Sequence, residues 1–411
     1  MRKAAAVLVC LLVLLAAGCR GSYTDLAGFQ RLASMHISGT VYTCFSIDDG
    51  GVVTLLEREW TSEKPHGGGR SWCTPTVHRM YPDGRVESKE LPTNEFAPVL
   101  TVEGNLVTLE AENRVTYTNV STFFTRTVED SRLAELINDR SVRSRGFFFD
   151  SGVVVYPIGD SEGVGIYDPS TGRDIDLFEE YERAYAVNVW DGCVIAGHSD
   201  EPYFLHVFTL DGEEKYRVPR PDSYSLRRVE GSALGVVYGG QRESPTHDEP
   251  LPVLEWYSFE GDNKVTYPLP DVEAVDGGQA PSIKIVHGEQ GEVVVATQSS
   301  LESIPDRDIV RGCAYIGYFD LDTGEEICYM TNDQQAVTFY PVEEAGRYYM
   351  HPTDDGEKGG EIALFNCEEK IASMHLNSGL DGFAASPNGR YLAVVSGDDV
   401  SSFEVVTDAV E

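Results

Sequence analysis

Apolar and polar positions alternate in short runs along nearly the whole chain. Runs rich in Val, Ile, Tyr, Phe and Thr are separated by Gly, Asp, Asn and Pro. Alternation with a period of two predicts strands that show one face to a core, and the punctuating residues predict tight turns. One helical stretch interrupts the pattern, EDSRLAELIN at Glu129–Asn138. Two longer stretches, Thr61–Ser71 and Gly239–Pro250, read as loops. The chain is therefore all-β.

The strands come in a recurring hairpin. An aromatic-rich strand enters a Gly/Asp turn and a short polar strand leaves it. The unit appears as MYPDGRVESKEL (Met80–Leu91), IYDPSTGRDIDL (Ile166–Leu177), FTLDGEEKYRV (Phe208–Val218), YSFEGDNKVTYPL (Tyr257–Leu269), YFDLDTGEEICYM (Tyr318–Met330) and LFNCEEKIASM (Leu364–Met374). Beyond the first gap, the units recur every 40 to 60 residues or so. Such a period, without helices between strands, predicts the blades of a single β-propeller. Four-stranded sets are expected in 37–91, 97–127, 146–177, 184–218, 225–268, 283–330 and 336–375, with three strands left at 382–406. Hairpin counting favours eight blades. Seven results if the N-terminal strand near Ile37–Phe45 closes the last blade. Closure itself is demanded, because an open sheet edge invites aggregation.

The chain end reads FAASPNGRYLAVVSGDDVSSFEV (Phe383–Val405). It resembles the S-P-D-G-R-x-L-A-x-x-S unit of bacterial WD40-like and TolB-like propellers. Asn388 stands where that unit has Asp, and Asn suits the turn. The chain start, MRKAAAVLVCLLVLLAAGC, resembles a bacterial lipoprotein signal peptide with LLAAGC as its lipobox. The resemblance implies that Cys19 becomes a lipidated N-terminus and that the body lies on the extracytoplasmic face of the membrane. The alternative is an ordinary secretory leader cleaved near Ala17 or Gly18. The expected divisions are 1–18 signal peptide, 19–34 lipidated tether, 35–406 propeller and 407–411 tail.

Charge narrows the partners. The chain carries a formal net charge of −35, and losing Arg2 and Lys3 with the leader takes it to −37. Such a body repels nucleic acid, whereas a basic protein or a divalent cation remains an eligible partner. Beyond Cys10 and Cys19 there are six cysteines: Cys44, Cys73, Cys193, Cys313, Cys328 and Cys367. Outside the cytoplasm an even number permits disulfides. Cys44 and Cys73 flank the first hairpin and form one candidate pair. Cys313 and Cys328 lie on two arms of another hairpin, but its turn does not set them opposite. Buried free thiols are the alternative.

Candidate chemistry is sparse. GDSEG (Gly159–Gly163) matches a nucleophile elbow, but strand-like runs flank it on both sides, which predicts a hairpin turn. PHGGGR (Pro65–Arg70) lacks the lysine and hydroxyl of a phosphate loop. His351, Asp354, Asp355 and Glu357 form a weak metal-ligand candidate in a segment that also reads as a solvated acidic turn. THDEP (Thr246–Pro250) has the same status, and Asp48–Asp49 and Asp398–Asp399 sit at turns. No cofactor motif is present. The expected function is a lipid-anchored envelope module that binds or scaffolds a protein, favoured over an enzyme. The rivals are a propeller hydrolase or lactonase with a cation at the channel mouth, and a glycan- or solute-binding lipoprotein. The last would use exposed Trp60, Trp72, Trp190 or Trp256.

Overall fold

The computed structural model describes residues 23–406, apart from 39, 63–70, 93–97, 102–103, 112, 140–141, 143–147, 151, 160–162, 178–183, 191, 199–203, 220–227, 243–250, 260–263, 270–280, 289–290, 299–301, 305–308, 312–313, 333–336, 353–359 and 378. Eight antiparallel sheets follow one another around a ring. Blade 1 comprises Thr40–Ile47, Val53–Ser62, Ser71–Met80 and Val86–Glu90. Blade 2 comprises Val99–Leu100, Asn105–Ala111, Arg114–Asn119 and Thr125–Glu129. Blade 3 comprises Phe148–Asp150, Val153–Ile158, Gly163–Asp168 and Arg173–Asp176. Blade 4 comprises Ala184–Trp190, Cys193–His198, Phe204–Thr209 and Glu214–Pro219. Blade 5 comprises Arg228–Ser232, Gly235–Arg242, Leu251–Ser258 and Lys264–Thr266. Blade 6 comprises Ser282–Gly288, Gly291–Gln298, Ala314–Asp320 and Glu326–Asn332. Blade 7 comprises Val337–Pro341, Arg347–Pro352, Glu361–Asn366 and Glu369–Leu376. Blade 8 takes Gly382–Ala385, Tyr391–Ser396 and Asp399–Val405 from the chain end and its outermost strand, Phe29–His36, from the chain start.

The N-terminal part differs from the expectation. The stretch assigned to a tether contains two strands. Tyr23–Ala27 adds a fifth strand to the rim of blade 7, with Tyr23 opposite Leu376. Phe29–His36 then pairs with Asp399–Val405, Phe29 opposite Val405 and His36 opposite Asp399. Gly28, at φ 77°, takes the left-handed turn between them. The propeller therefore begins at residue 23 rather than 35. The strand at Thr40–Ile47 belongs to blade 1, so it does not close the ring, and the blade count is eight. Polar residues such as Gln30 and Arg31 dilute the apolar alternation of the closing strand, because a rim strand buries only one face.

Why the blades stack follows from the second strands. Each carries adjacent apolar residues that point to opposite sides of the sheet. Leu55 packs between blades 8 and 1, whereas Leu56 packs between blades 1 and 2. Val154 faces blade 2 and Val155 faces blade 4. Val236 and Val237 divide in the same way between blades 4 and 6, and Tyr348 and Tyr349 between blades 6 and 8. Each of the eight interfaces thus has its own hydrophobic core. The rim strands are polar by contrast, with Val86–Glu90 alternating exposed and half-buried positions.

Buried hydroxyls pin neighbouring blades together. Tyr318 OH donates to the Arg347 carbonyl. Tyr349 OH donates to the Gly389 carbonyl at 2.9 Å. Tyr267 OH donates to the Leu321 carbonyl at 2.7 Å. Burial holds the phenol pKa of each well above the ordinary tyrosine range. The S-P-N-G-R turn forms as expected. Gly389 adopts φ 68°, and the Ser386 hydroxyl accepts from Tyr391 N–H at 2.9 Å. The Asn388 side chain accepts from Arg390 N–H at 2.9 Å. The Asn388 N–H reaches Asp49 of blade 1 at 3.0 Å, across the join of the ring. Replacing Tyr349 by Phe leaves the Gly389 carbonyl buried without its donor. The expected loss is about 1–2 kcal/mol in urea unfolding, with the fold retained.

Candidate functional face

An antiparallel meander sends its turns alternately to the two faces of the disc. First-to-second and third-to-fourth turns reach one face. Second-to-third turns and blade-to-blade connections reach the other. On the first face every connection is two to five residues long. On the second, connections run to 15 residues (267–281 and 299–313) and to 18 residues (130–147). The strand ends that bound all the long connections therefore lie on one face.

Three segments singled out from the sequence fall within these connections. PHGGGR falls in connection 63–70, THDEP in 243–250, and Asp354, Asp355 and Glu357 in 353–360. These segments lie outside the described residues. His351 sits at the end of the second strand of blade 7, opposite Thr338. Among the described residues, no group of three or more His, Cys, Asp or Glu converges as a metal site.

Other candidates resolve into structural parts. Ile158 pairs with Gly163, so GDSEG joins two antiparallel strands, and no helix follows to present Ser161. Asp48 accepts from Gly50 N–H and Val52 N–H, both at 2.9 Å, and shapes its own turn. Asp399 faces His36 at 3.4 Å on the closing strand. Trp256 is buried between blades 5 and 6. The side chains of Trp60, Trp72 and Trp190 lie outside the described residues, as does Cys19. Cys44 lies on the innermost strand of blade 1, in the bulge between Tyr42 and Phe45. Cys73 pairs with Trp60 two strands away. Two strand spacings span about 9.5 Å, and the two positions are also offset along the strands. A disulfide needs Cα atoms within about 7 Å, so the register opposes this pair.

The expected helix forms at Ser131–Asn138 and packs between blades 2 and 3. Asp130 caps it by accepting from Leu133 N–H at 2.8 Å. The same carboxylate accepts from Tyr167 OH at 2.8 Å. Arg132 bonds Asp174 at 2.9 Å and the Tyr156 hydroxyl at 3.0 Å. Tyr156 in turn donates to Asp174. Burial and these carboxylates push both Tyr156 and Tyr167 up to about 12.

One polar set escaped the sequence reading. Asn188, Glu230 and Lys284 lie on the innermost strands of blades 4, 5 and 6. Asn188 Nδ2 donates to the Val229 carbonyl at 3.2 Å and to Glu230 Oε2 at 3.3 Å. Burial raises the Glu230 carboxyl above the ordinary range, against the opposing pull of Lys284 and Asn188. Burial thus works against ionising Glu230 on the strand nearest the axis, and carboxyls perturbed in this way are candidates for functional positions. The three residues are more than forty positions apart in sequence. Only the blade register aligns them.

No family model matches the chain, and no curated protein matches it. Solved structures are similar in fold. The eukaryotic initiation factor crystal structure shares 10% identity at TM-score 0.50, over 90% of this chain and 87% of that one. The tricorn protease shares 12% identity at TM-score 0.43, over 90% of this chain. The chain spans 42% of the tricorn protease chain. The likeness concerns the propeller fold alone.

Two pH-dependent outcomes follow. Stability contributed by the Tyr156 and Tyr167 hydroxyls is complete below pH 10 and lost as pH rises through about 12. Thermal unfolding followed from pH 9 upward should show that loss, shallower in Tyr156→Phe. For Glu230 the raised pKa means that stability present in acid is lost as pH climbs through the raised value. Glu230→Gln should therefore be at least as stable as wild type at pH 7 and lose that advantage at pH 4. Urea midpoints at the two pH values decide this.

Proposed function

We propose that the chain is a lipid-anchored extracytoplasmic propeller that holds a protein partner on its long-connection face. The asymmetry between the two faces carries this reading. Tight turns add little beyond closing hairpins, whereas long surface connections on a rigid scaffold are where proteins place recognition. A propeller offers such a scaffold, and fold alone names no partner. The net charge of −35 favours a partner with a basic contact surface.

The anchor rests on the LLAAGC motif and Cys19. The start of the first strand at Tyr23 adds to its meaning. Only residues 20–22 separate Cys19 from the rim of blade 7, a reach of about 14 Å at most. On this reading the body stays against the membrane and its partner is a membrane-proximal protein. Tyr23 pairs with the end of the fourth strand of blade 7, at the long-connection side of the disc.

Photo-crosslinking residues placed singly in connections 243–250 and 353–360, and in turns 81–85 and 210–213, test the reading in the native host. Crosslinks to one envelope protein are expected from the first set and not from the second. Cys19→Ser should shift the chain from the membrane to the soluble fraction and remove those crosslinks. Equal yields from both faces, or none from either, would contradict the assignment.

A further inference from the structure

We propose that Cys328 and Cys367 form a disulfide that staples blade 6 to blade 7. Cys328 lies on the outermost strand of blade 6, opposite Tyr318. Cys367 lies in the two-residue turn between the third and fourth strands of blade 7. Cys328 is buried in the core between these blades, and Cys367 packs against that same core, where the two thiols interact. Both are free thiols in the structure, Cys328 buried and Cys367 half-buried.

The turn fixes where Cys367 sits. Its φ is 50°, in the left-handed region. In the corresponding turns of blades 1, 3, 4 and 6 that region is occupied by Gly84, Gly172, Gly212 and Gly324. Blade 7, like blade 2 with Phe123 at φ 58°, places a side chain there despite the steric cost. The main-chain groups of Cys367 are held in place. Cys367 N–H donates to the Gly346 carbonyl at 2.7 Å, and Tyr348 OH donates to the Cys367 carbonyl at 2.8 Å. A Cβ on Gly346 would stand only 3.1 Å from Cys367 Sγ, so glycine there leaves room for the sulfur.

The chemistry is thiol–disulfide exchange with a small disulfide donor or a protein disulfide. The more exposed Cys367 attacks as thiolate, its proton passing to solvent. One donor sulfur departs as a thiolate and a mixed disulfide remains. Cys328 then gives up its proton and attacks the Cys367 sulfur, expelling the second donor sulfur as thiolate. Both departing thiolates take protons from solvent. Two protein thiols are oxidised to one disulfide, and one donor disulfide is reduced to two thiols. Burial pushes the Cys328 thiol up, which makes it the slower, second partner.

The test uses the purified folded chain with oxidised glutathione, followed by alkylation and mass spectrometry without reductant. A linked peptide joining Cys328 to Cys367 is expected. Cys193, buried in blade 4, should remain alkylatable once the chain is unfolded. Free Cys328 and Cys367 after exposure to oxidised glutathione would overturn the proposal, as would a link from Cys328 to Cys313. Thermal unfolding supplies the second measurement. Reductant should lower the melting point of the oxidised chain by roughly 5 °C and leave Cys367→Gly unmoved. Glycine suits that backbone, so this variant keeps the turn. An equal response in both would overturn the staple. The outcome does not depend on Cys19, so it can fail while the anchor stands, and the reverse.

Discussion

The fold depends on one constraint: a strand that is apolar on both faces must be covered on both sides. Every second strand here has that character. No blade can therefore sit at an open end without exposing a hydrophobic face. Eight blades satisfy this only if the last covers the first. The pairing of Phe29–His36 with Asp399–Val405 completes that eighth blade. It sets Phe29 against Tyr349 and Ala33 against the core shared with blade 1. Arg31 donates to the Ser401 hydroxyl at 3.1 Å, and Ile37 N–H to the Asp398 carbonyl at 2.8 Å. Main-chain bonds and burial together lock the two ends of the chain.

Closure also decides what the molecule can present. With the cores spent between blades, recognition is left to the connections. The meander sorts these by length onto two faces without further instruction. One face is built of tight Gly and Asx turns that mainly shape themselves, as Asp48 and Asp168 do. The other gathers the ends of the longest insertions. An N-terminal strand, Tyr23–Ala27, lies on the rim of blade 7. A braced boundary between blades 6 and 7 would then lie beside the rim that carries that strand.

Much of the architecture was legible in the sequence because each blade repeats a local pattern. Tyr391–Ser396, inside the unit that resembles the WD40-like repeat, is a buried strand. The turn at Ser386–Arg390 and the helix at Ser131–Asn138 follow from their own residues. The closing strand was not legible, since a rim strand with one solvent face looks like tether. The candidate site was legible only in part. Connection lengths could be counted, but facing requires the direction of each strand. Asn188, Glu230 and Lys284 carry no motif, because their grouping is made by three blades. Cys328 and Cys367 were two of six cysteines until the blade 6–7 interface brought them together.

The measurement that bears most directly on this account is amide hydrogen exchange at Phe29–His36 and Asp399–Val405 in the native protein. If closure holds the ring together, these amides exchange only with global unfolding, at the same free energy as the second strands of the other blades. Early exchange of both segments, with the remaining blades protected, would show that the ring stands without its clasp and would contradict the account.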